Sequence, residues 1–151
     1  MSSKYPPPID PTVYLTRTDT AIGFVSQNAE RLDASKGRPA HKHYIRAVAS
    51  LAILVRLTRV PPAQRNRLRR ARKSTFVLPD GHAYRVVRDP HHLKLLRTLE
   101  WAYTTSANRS GEPYDEAWAR TQADVIIEPL GTSGAPSSIY RLGWRTLRKL
   151  R

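Results

Sequence analysis

Short strand-like and helix-like segments alternate along most of the chain. Alternating or β-branched runs that stop at turn-forming residues predict strands, and an Asp-Gly pair at positions 80 and 81 predicts a hairpin. Capping residues, early acids and proline at the first turn predict helices. The strand-like segments are 12–16, 74–79, 80–88, 102–106, 124–130 and 138–142, and the helix-like segments are 28–36, 61–72, 89–101 and 113–122.

One apolar segment, 44–57, is ambiguous. Its β-branched residues favour a strand or a strand pair, and a helix is the alternative. Strands and helices otherwise intermix, which predicts an α/β fold with a mixed sheet. The length of 151 residues fits one domain. We expect this domain to cover 12–151, after an extended, proline-rich lead-in over 1–11.

The composition indicates in which compartment this domain is expected. No apolar run approaches the ~20 residues that span a bilayer, and the N-terminal segment has no apolar stretch typical of a signal peptide. The chain has no cysteine, which excludes disulfides and thiolate metal sites. We therefore expect a cytoplasmic protein with no membrane partner.

Positive charge is the strongest compositional feature. The net charge is +14, and no acid occurs between Asp33 and Asp80, where 12 basic residues lie. An arginine-rich solvated face would explain any one of these residues. The whole stretch favours an anionic, phosphate-rich ligand, either a nucleotide or RNA.

Three polar stretches stand at the ends of predicted strands or helices. They read TRTDTAIG from Thr16, SKGRP from Ser35 and TTSANRSGEP from Thr104. Each alone is compatible with an ordinary turn or cap. Ligands of open α/β sheets bind where such loops converge beyond the strand ends, so together the stretches predict a binding cleft.

In this order the motifs resemble those of the YrdC-like family, the threonylcarbamoyl-adenylate synthases of tRNA modification. The matching stretches are RTDTAIG, KGRP, STFVLPDG, VVRDPHH, TSANRSGEP and GAPSSIY, and the resemblance runs from about Thr12 to Tyr140. It implies a twisted mixed sheet flanked by helices around a concave basic cleft. It also implies that a carbamate of L-threonine, formed with bicarbonate, attacks the α-phosphate of ATP and expels pyrophosphate.

The resemblance assigns roles to individual residues. The implied catalytic set is Lys36, Arg38, Ser106 and Asn108. The implied ATP contacts are Lys36, Arg38, Asn108 and, near the C-terminus, Arg141 or Arg145. The implied threonine contacts are Thr20, Arg88, Ser106 and Ser137. Arg17 and Ile22 depart from the family's proline and tyrosine, which alters the expected threonine pocket, and Ile22 would line its methyl side.

No metal site is expected at the paired histidines His41 and His43, or His91 and His92, because no carboxylates stand at ligand spacing. Mg²⁺ is expected to enter with ATP, held by its phosphates. Two alternatives to an independent enzyme remain. The domain is a catalytically reduced module that binds RNA through its basic face, or a subunit that is active only when docked to the downstream transferase. The expected partners beyond the substrates are tRNA or the threonylcarbamoyl transferase complex.

Overall fold

A computed structural model describes residues 8–37, 43–131 and 134–151. In this part of the chain, nine strands form one sheet in the order β7-β1-β2-β6-β3-β5-β4-β8-β9. The strands are β1 (Tyr14–Arg17), β2 (Ile22–Ser26), β3 (Ile45–Val48), β4 (Ser74–Val77), β5 (Ala83–Val86), β6 (Trp101–Ser106), β7 (Val125–Ile126), β8 (Ser138–Leu142) and β9 (Leu147–Lys149).

The sheet is mixed, as predicted. The pairs β1–β7, β3–β5 and β4–β8 are parallel, and the other neighbouring pairs are antiparallel. Five α-helices accompany it in the described residues: α1 (Ala29–Lys36), α2 (Leu51–Leu57), α3 (Arg65–Arg70), α4 (Pro90–Leu99) and α5 (Glu116–Gln122). A short 3-10 turn, Pro62–Gln64, precedes α3. No helix of the described residues is long and apolar enough to cross a membrane.

The alternation of side chains along the strands divides the helices between the two faces of the sheet. On one face, Phe24 packs in a core with Leu32 of α1 and Ala119 of α5. Tyr84 continues this face and packs with Leu54 of α2 and Leu68 of α3.

The other face of the sheet carries α4. Val25, Ala47 and Ala102 alternate with residues of the first face and pack against Leu96 of this helix. The remainder of this face is left to polar side chains of β5 and β6 and to the loops at the sheet edge. It is this remainder that forms the cavity described below.

Several predicted elements are corrected by the structure. The segment 44–57 is neither a single strand nor a strand pair, but strand β3 followed by helix α2, whose N-cap is Ser50 with its side chain accepting from Ile53 N. Strand β2 was not predicted, because all of its residues are buried and no alternation marks it. The basic tail forms β9, an exposed strand that pairs with β8.

Candidate functional site

Helix α1 places Lys36 next to the turn that follows β6. Asn28 caps the start of the helix, and Gly37 ends it in the left-handed conformation at φ 61°. The Lys36 side chain is 4% exposed, and its Nζ donates to the carbonyl oxygens of Ser106 at 2.7 Å and Asn108 at 2.8 Å. A buried ammonium requires such acceptors, so Lys36 fixes the position of this turn.

The side chains of the turn are also bonded to one another. Ser106 Oγ donates to Asn108 Oδ1, and Asn108 Nδ2 donates to the carbonyls of Arg109 at 3.0 Å and Glu112 at 2.8 Å. The structure thus brings together three members of the implied catalytic set. The fourth member, Arg38, lies outside the described residues.

Ser106 also lines a cavity of about 260 Å³ on the face of the sheet that carries α4. Hydroxyl groups dominate its polar wall, and they come from Thr18, Thr20, Thr104, Thr105, Ser106 and Ser137. Ala21, Ile45 and Pro136 add apolar surface. Thr20, Ser106 and Ser137 were all implied threonine contacts, and the fold collects them from three distant parts of the sequence.

A buried arginine stands among these hydroxyl groups. Arg85 of β5 is 4% exposed, and its Nη1 donates to Thr20 Oγ1 at 3.1 Å. Its Nε lies 3.5 Å from Asp19 Oδ1, and its Nη2 makes no hydrogen bond within the described part of the chain. Burial lowers the pKa of Arg85 and the charge of Asp19 opposes this shift, but an arginine side chain stays protonated in proteins.

His92 of α4 lies next to Asp19 and does not line the cavity. It is fully buried, and its Nδ1 is 4.0 Å from Asp19 Oδ1. Burial, followed by the nearby charge of Arg85, lowers the pKa of His92 to about 3. The imidazole is therefore neutral at physiological pH, and the buried charges of Asp19 and Arg85 balance each other.

The loop before β8 closes the cavity from the opposite side. Ser137 Oγ is 2.8 Å from Thr75 Oγ1, and the carbonyl of Ser137 accepts from Arg151 Nη2 at 2.8 Å. Gly134 N donates to the carbonyl of Thr20 at 3.1 Å. A Cβ on Gly134 would stand 2.6 Å from that oxygen, so the close approach of the two loops requires glycine here.

Two expectations for the threonine pocket differ from the structure. Arg88 does not line the cavity; it lies beyond the end of β5, is exposed, and donates from Nη1 to the carbonyl of Arg70 at 2.9 Å. Arg85 is the arginine that the strand register directs into the cavity. Ile22 is 1% exposed and packs in the core with Phe24, because it points to the other face of the sheet.

The arginine near the C-terminus that lines the cavity is also not one of the two that were expected. Arg141 is exposed on β8, opposite Arg148 of β9, and does not line the cavity. Arg145 is exposed and does not line it either. Arg151 lines it instead. Arg85 and Arg151 could not be found from the motifs, because neither lies in a matching stretch. The alternation of side chains along the strand, starting from the apolar Tyr84, was the available signal for Arg85.

Among the described residues, no group of three or more His, Cys, Asp or Glu side chains is arranged to hold a metal ion. His43 borders the cavity and its ring meets His82 edge to face, with centroids 5.8 Å apart. His41 lies outside the described residues.

Known proteins resemble the chain in sequence and in structure. No family model matches the sequence. A curated relative, the uncharacterized protein MG259 homolog of Mycoplasma pneumoniae, is 30% identical over 144 residues, which cover 83% of this chain and 29% of that protein. The chain thus spans less than a third of this relative's length.

Solved structures share the fold. P. abyssi Sua5, solved in complex with L-threonine, superimposes with a TM-score of 0.78 and 25% identity over 93% of this chain and 50% of Sua5. E. coli YciO gives a TM-score of 0.72 and 21% identity over 93% of this chain and 82% of YciO. Together with the nine-stranded sheet of the described residues, these likenesses show that the chain has a YrdC-like fold.

Proposed function

We propose that this domain synthesises threonylcarbamoyl-adenylate from L-threonine, bicarbonate and ATP, with release of pyrophosphate, for the threonylcarbamoyladenosine modification of tRNA. The observation that carries the proposal is the cavity of about 260 Å³ in which Thr20, Ser106 and Ser137 surround a buried Arg85. Sua5, with the same fold, was solved in complex with L-threonine. The cavity offers both charge and hydroxyl groups to such a ligand.

The contacts divide by the chemistry of the amino acid. Arg85 takes the carboxylate, since a guanidinium is a fixed fork of donors and its Nη2 has no other acceptor in the described chain. Thr20 and Ser137 meet the substrate hydroxyl, and Ala21 and Ile45 provide surface for its methyl group. Arg85 thereby replaces Arg88 in the role that the resemblance implied.

The reaction then requires two anions, the carbamate and the triphosphate of ATP, to be held next to each other. The neutral threonine amine adds to bicarbonate, and loss of water gives a carbamate. A carbamate oxygen attacks the α-phosphorus of ATP, a new P–O bond forms, and the bond to pyrophosphate breaks. Most of the acceleration comes from positioning and from fixed positive charge.

The turn after β6 and its neighbours supply this charge. Lys36 places an ammonium directly behind the turn, where it lowers the energy of negative charge gathered at Ser106. We assign ATP phosphates to Arg38 and Asn108, and to Arg151 in place of Arg141, while Lys36 acts through the turn that it positions. Any Mg²⁺ is held by the phosphates of ATP. The product would pass to a threonylcarbamoyl transferase complex in the cytoplasm.

A second candidate function is RNA binding without synthesis. The observation in its favour is that the side chain of Asn108 is already bonded within its own turn, so that a nucleotide would have to displace these bonds. A chain with this function would bind RNA through its basic face and would show no adenylate chemistry.

Pyrophosphate release separates the two candidates. Purified protein is incubated with ATP, bicarbonate and L-threonine, and each component is left out in turn. We expect release only in the complete mixture. Release that does not require threonine would indicate another ATPase activity, and its absence under all conditions would favour the RNA-binding module.

A further inference from the structure

Helix α3 turns a cluster of cations toward solvent. Leu68, 1% exposed, anchors the helix to the core with Leu54 and Tyr84, so its other side chains point outward. Seven exposed cations belong to this cluster. They are Arg65, Arg67, Arg69, Arg70, Arg72, Lys73 and, from the end of β5, Arg88. We call this set the α3 surface.

We propose that the α3 surface docks the phosphate backbone of a folded RNA, at a site separate from the threonine cavity. The proposal goes beyond the synthesis of an adenylate and does not depend on it.

The charge of the α3 surface is not neutralised within the described chain. None of its seven cations has a carboxylate within 4.0 Å there, whereas Arg31, Arg56, Arg85 and Arg120 all have one. Two acids, Asp19 and Asp89, share a depression with Arg72, Lys73 and Arg88. Asp19 faces Arg85, and Asp89 caps α4 by accepting from His92 N at 2.9 Å.

The arginines border grooves on two sides of α3. Arg65, Arg69 and Arg88 surround a groove of about 600 Å³ with Val86 and Leu93 among its lining. On the other side, a groove of about 480 Å³ holds Arg67 and Arg70 beside Phe76 and Tyr140. The spacings i,i+4 and i,i+3 place each helical pair roughly 5–6 Å apart at Cβ, which makes two rows of guanidinium groups.

Local hydrogen bonds hold several of these guanidinium groups in place. Arg67 Nε donates to Gln64 Oε1 at 3.2 Å, and Arg69 Nη1 donates to Asn66 Oδ1 at 3.1 Å. Arg88 Nη1 donates to the carbonyl of Arg70 at 2.9 Å. Side chains that are already ordered lose less conformational entropy on binding, so the surface is prepared for an anionic partner.

Phosphate backbone fits this surface better than other anions. Six of the seven cations are arginines, whose planar forks match phosphate oxygens. Helix α3 has 6 residues and lies on the core, so it is too short and too enclosed to enter a DNA major groove. Structured RNA is recognised largely by its shape and its phosphates, and this requires no inserted helix.

The groove beside Arg88 and the cavity lie at opposite ends of β3. Ile45, at the start of this strand, lines the cavity, whereas Ala49 and Ser50, just after its end, line the groove. RNA held in this groove therefore leaves the cavity free. The two sites are separable by mutation.

The test compares two triple variants of equal net charge. R65Q/R69Q/R88Q removes one row of the α3 surface, and R31Q/K94Q/R97Q removes exposed charges of α1 and α4. Anisotropy measures binding of a labelled RNA hairpin from 50 to 300 mM salt. We expect the first variant to bind at least tenfold more weakly, with a log–log salt slope reduced by roughly two to three units, about 0.9 per lost phosphate contact. The second should lose much less.

Three results would overturn the proposal. One is an equal loss in both variants, since this would mean that only net charge matters. Another is an RNA affinity of the unaltered chain that is undetectable or no greater than its affinity for a DNA hairpin. The third is preferential binding to anionic lipid vesicles. Circular dichroism and an L-threonine thermal shift check that both variants remain folded with the cavity intact.

Discussion

Arg85 illustrates how a single buried charge can define a site. A guanidinium removed from water is stable only where carboxylates or hydrogen-bond acceptors replace the solvent. Thr20 accepts a hydrogen bond from its Nη1, and Asp19 lies 3.5 Å from its Nε as an ion pair that is not a hydrogen bond in the described residues. Arg85 also lines the cavity. An anionic ligand that enters the cavity would complete the set of acceptors.

The first prediction compares two arginines that are three positions apart. R85Q should weaken L-threonine binding by about 1.5–3 kcal/mol, the usual contribution of a hydrogen bond to a charged group, while R88Q should leave it within error. Isothermal titration with L-threonine measures both. L-threoninol, which lacks the carboxylate, should bind the unaltered chain and R85Q equally weakly.

Equal threonine affinity in R85Q and in the unaltered chain would remove Arg85 from the site. R85K serves as a folding control, because it retains a cation beside Asp19 but loses the planar fork.

At the scale of elements, the site depends on how two loops meet. The loop after β1 carries Thr20 and the loop before β8 carries Ser137, and the hydrogen bond from Gly134 N to the Thr20 carbonyl joins them. Neither loop is positioned by its own strand alone. The contact between the two loops sets the width of the cavity.

The second prediction concerns this contact. G134A should separate the loops and weaken threonine binding severalfold, because the new Cβ would stand 2.6 Å from Thr20 O. G81A is the matched control. Gly81 adopts φ 84° with no neighbour of its Cβ within 4 Å, so G81A should lower stability by about 1–2 kcal/mol and leave threonine affinity unchanged. Titration and thermal melts of both variants decide the matter; the reverse pattern would contradict it.

Elements that are stabilised by local contacts could be predicted from the sequence, whereas elements that are stabilised by tertiary contacts could not. Helix α1, the β4–β5 hairpin and the turn after β6 carry local information in Asn28, Asp80-Gly81 and the Ser-Ala-Asn stretch. Strand β2 is held by pairing with β1 and β6 on both sides, so its sequence shows no polar face. The entry of Arg85 into the cavity is likewise a result of tertiary register.

At the scale of the whole molecule, the described sheet separates several environments. One face is covered by α1, α2, α3 and α5. The other face carries α4 and the cavity, and a set of exposed arginines lies on and around α3. His92 belongs to the enclosed part, since α4 buries it against Asp19 and Arg85.

The third prediction is a pH dependence of global stability. The pKa of His92 is about 3 in the folded chain and near 6.5 when unfolded, so between these values the unfolded state binds the extra proton. Stability therefore falls as the pH drops from about 6.5 toward 3, with a limiting slope of roughly 1.4 kcal/mol per pH unit. Urea unfolding of the unaltered chain and of H92L at pH 7, 6, 5 and 4 measures this slope.

H92L should show a shallower decline over that range, and the half-buried neighbour variant H91Q should follow the unaltered chain. Asp10, Asp80 and Glu128, whose pKa values are also lowered, contribute equally to all three proteins and cancel in the comparison. Parallel curves for H92L and the unaltered chain would show that His92 does not titrate as described.

The most direct measurement of the central claim is the mass of the product. The unaltered chain is incubated with ATP, L-threonine and ¹³C-labelled bicarbonate, and the adenylates are analysed at once by mass spectrometry. The account predicts a threonylcarbamoyl-adenylate that carries one ¹³C, forms together with pyrophosphate and is strongly reduced in R85Q but not in R88Q. An adenylate without the label, or no adenylate at all from a folded protein that binds threonine, would contradict it.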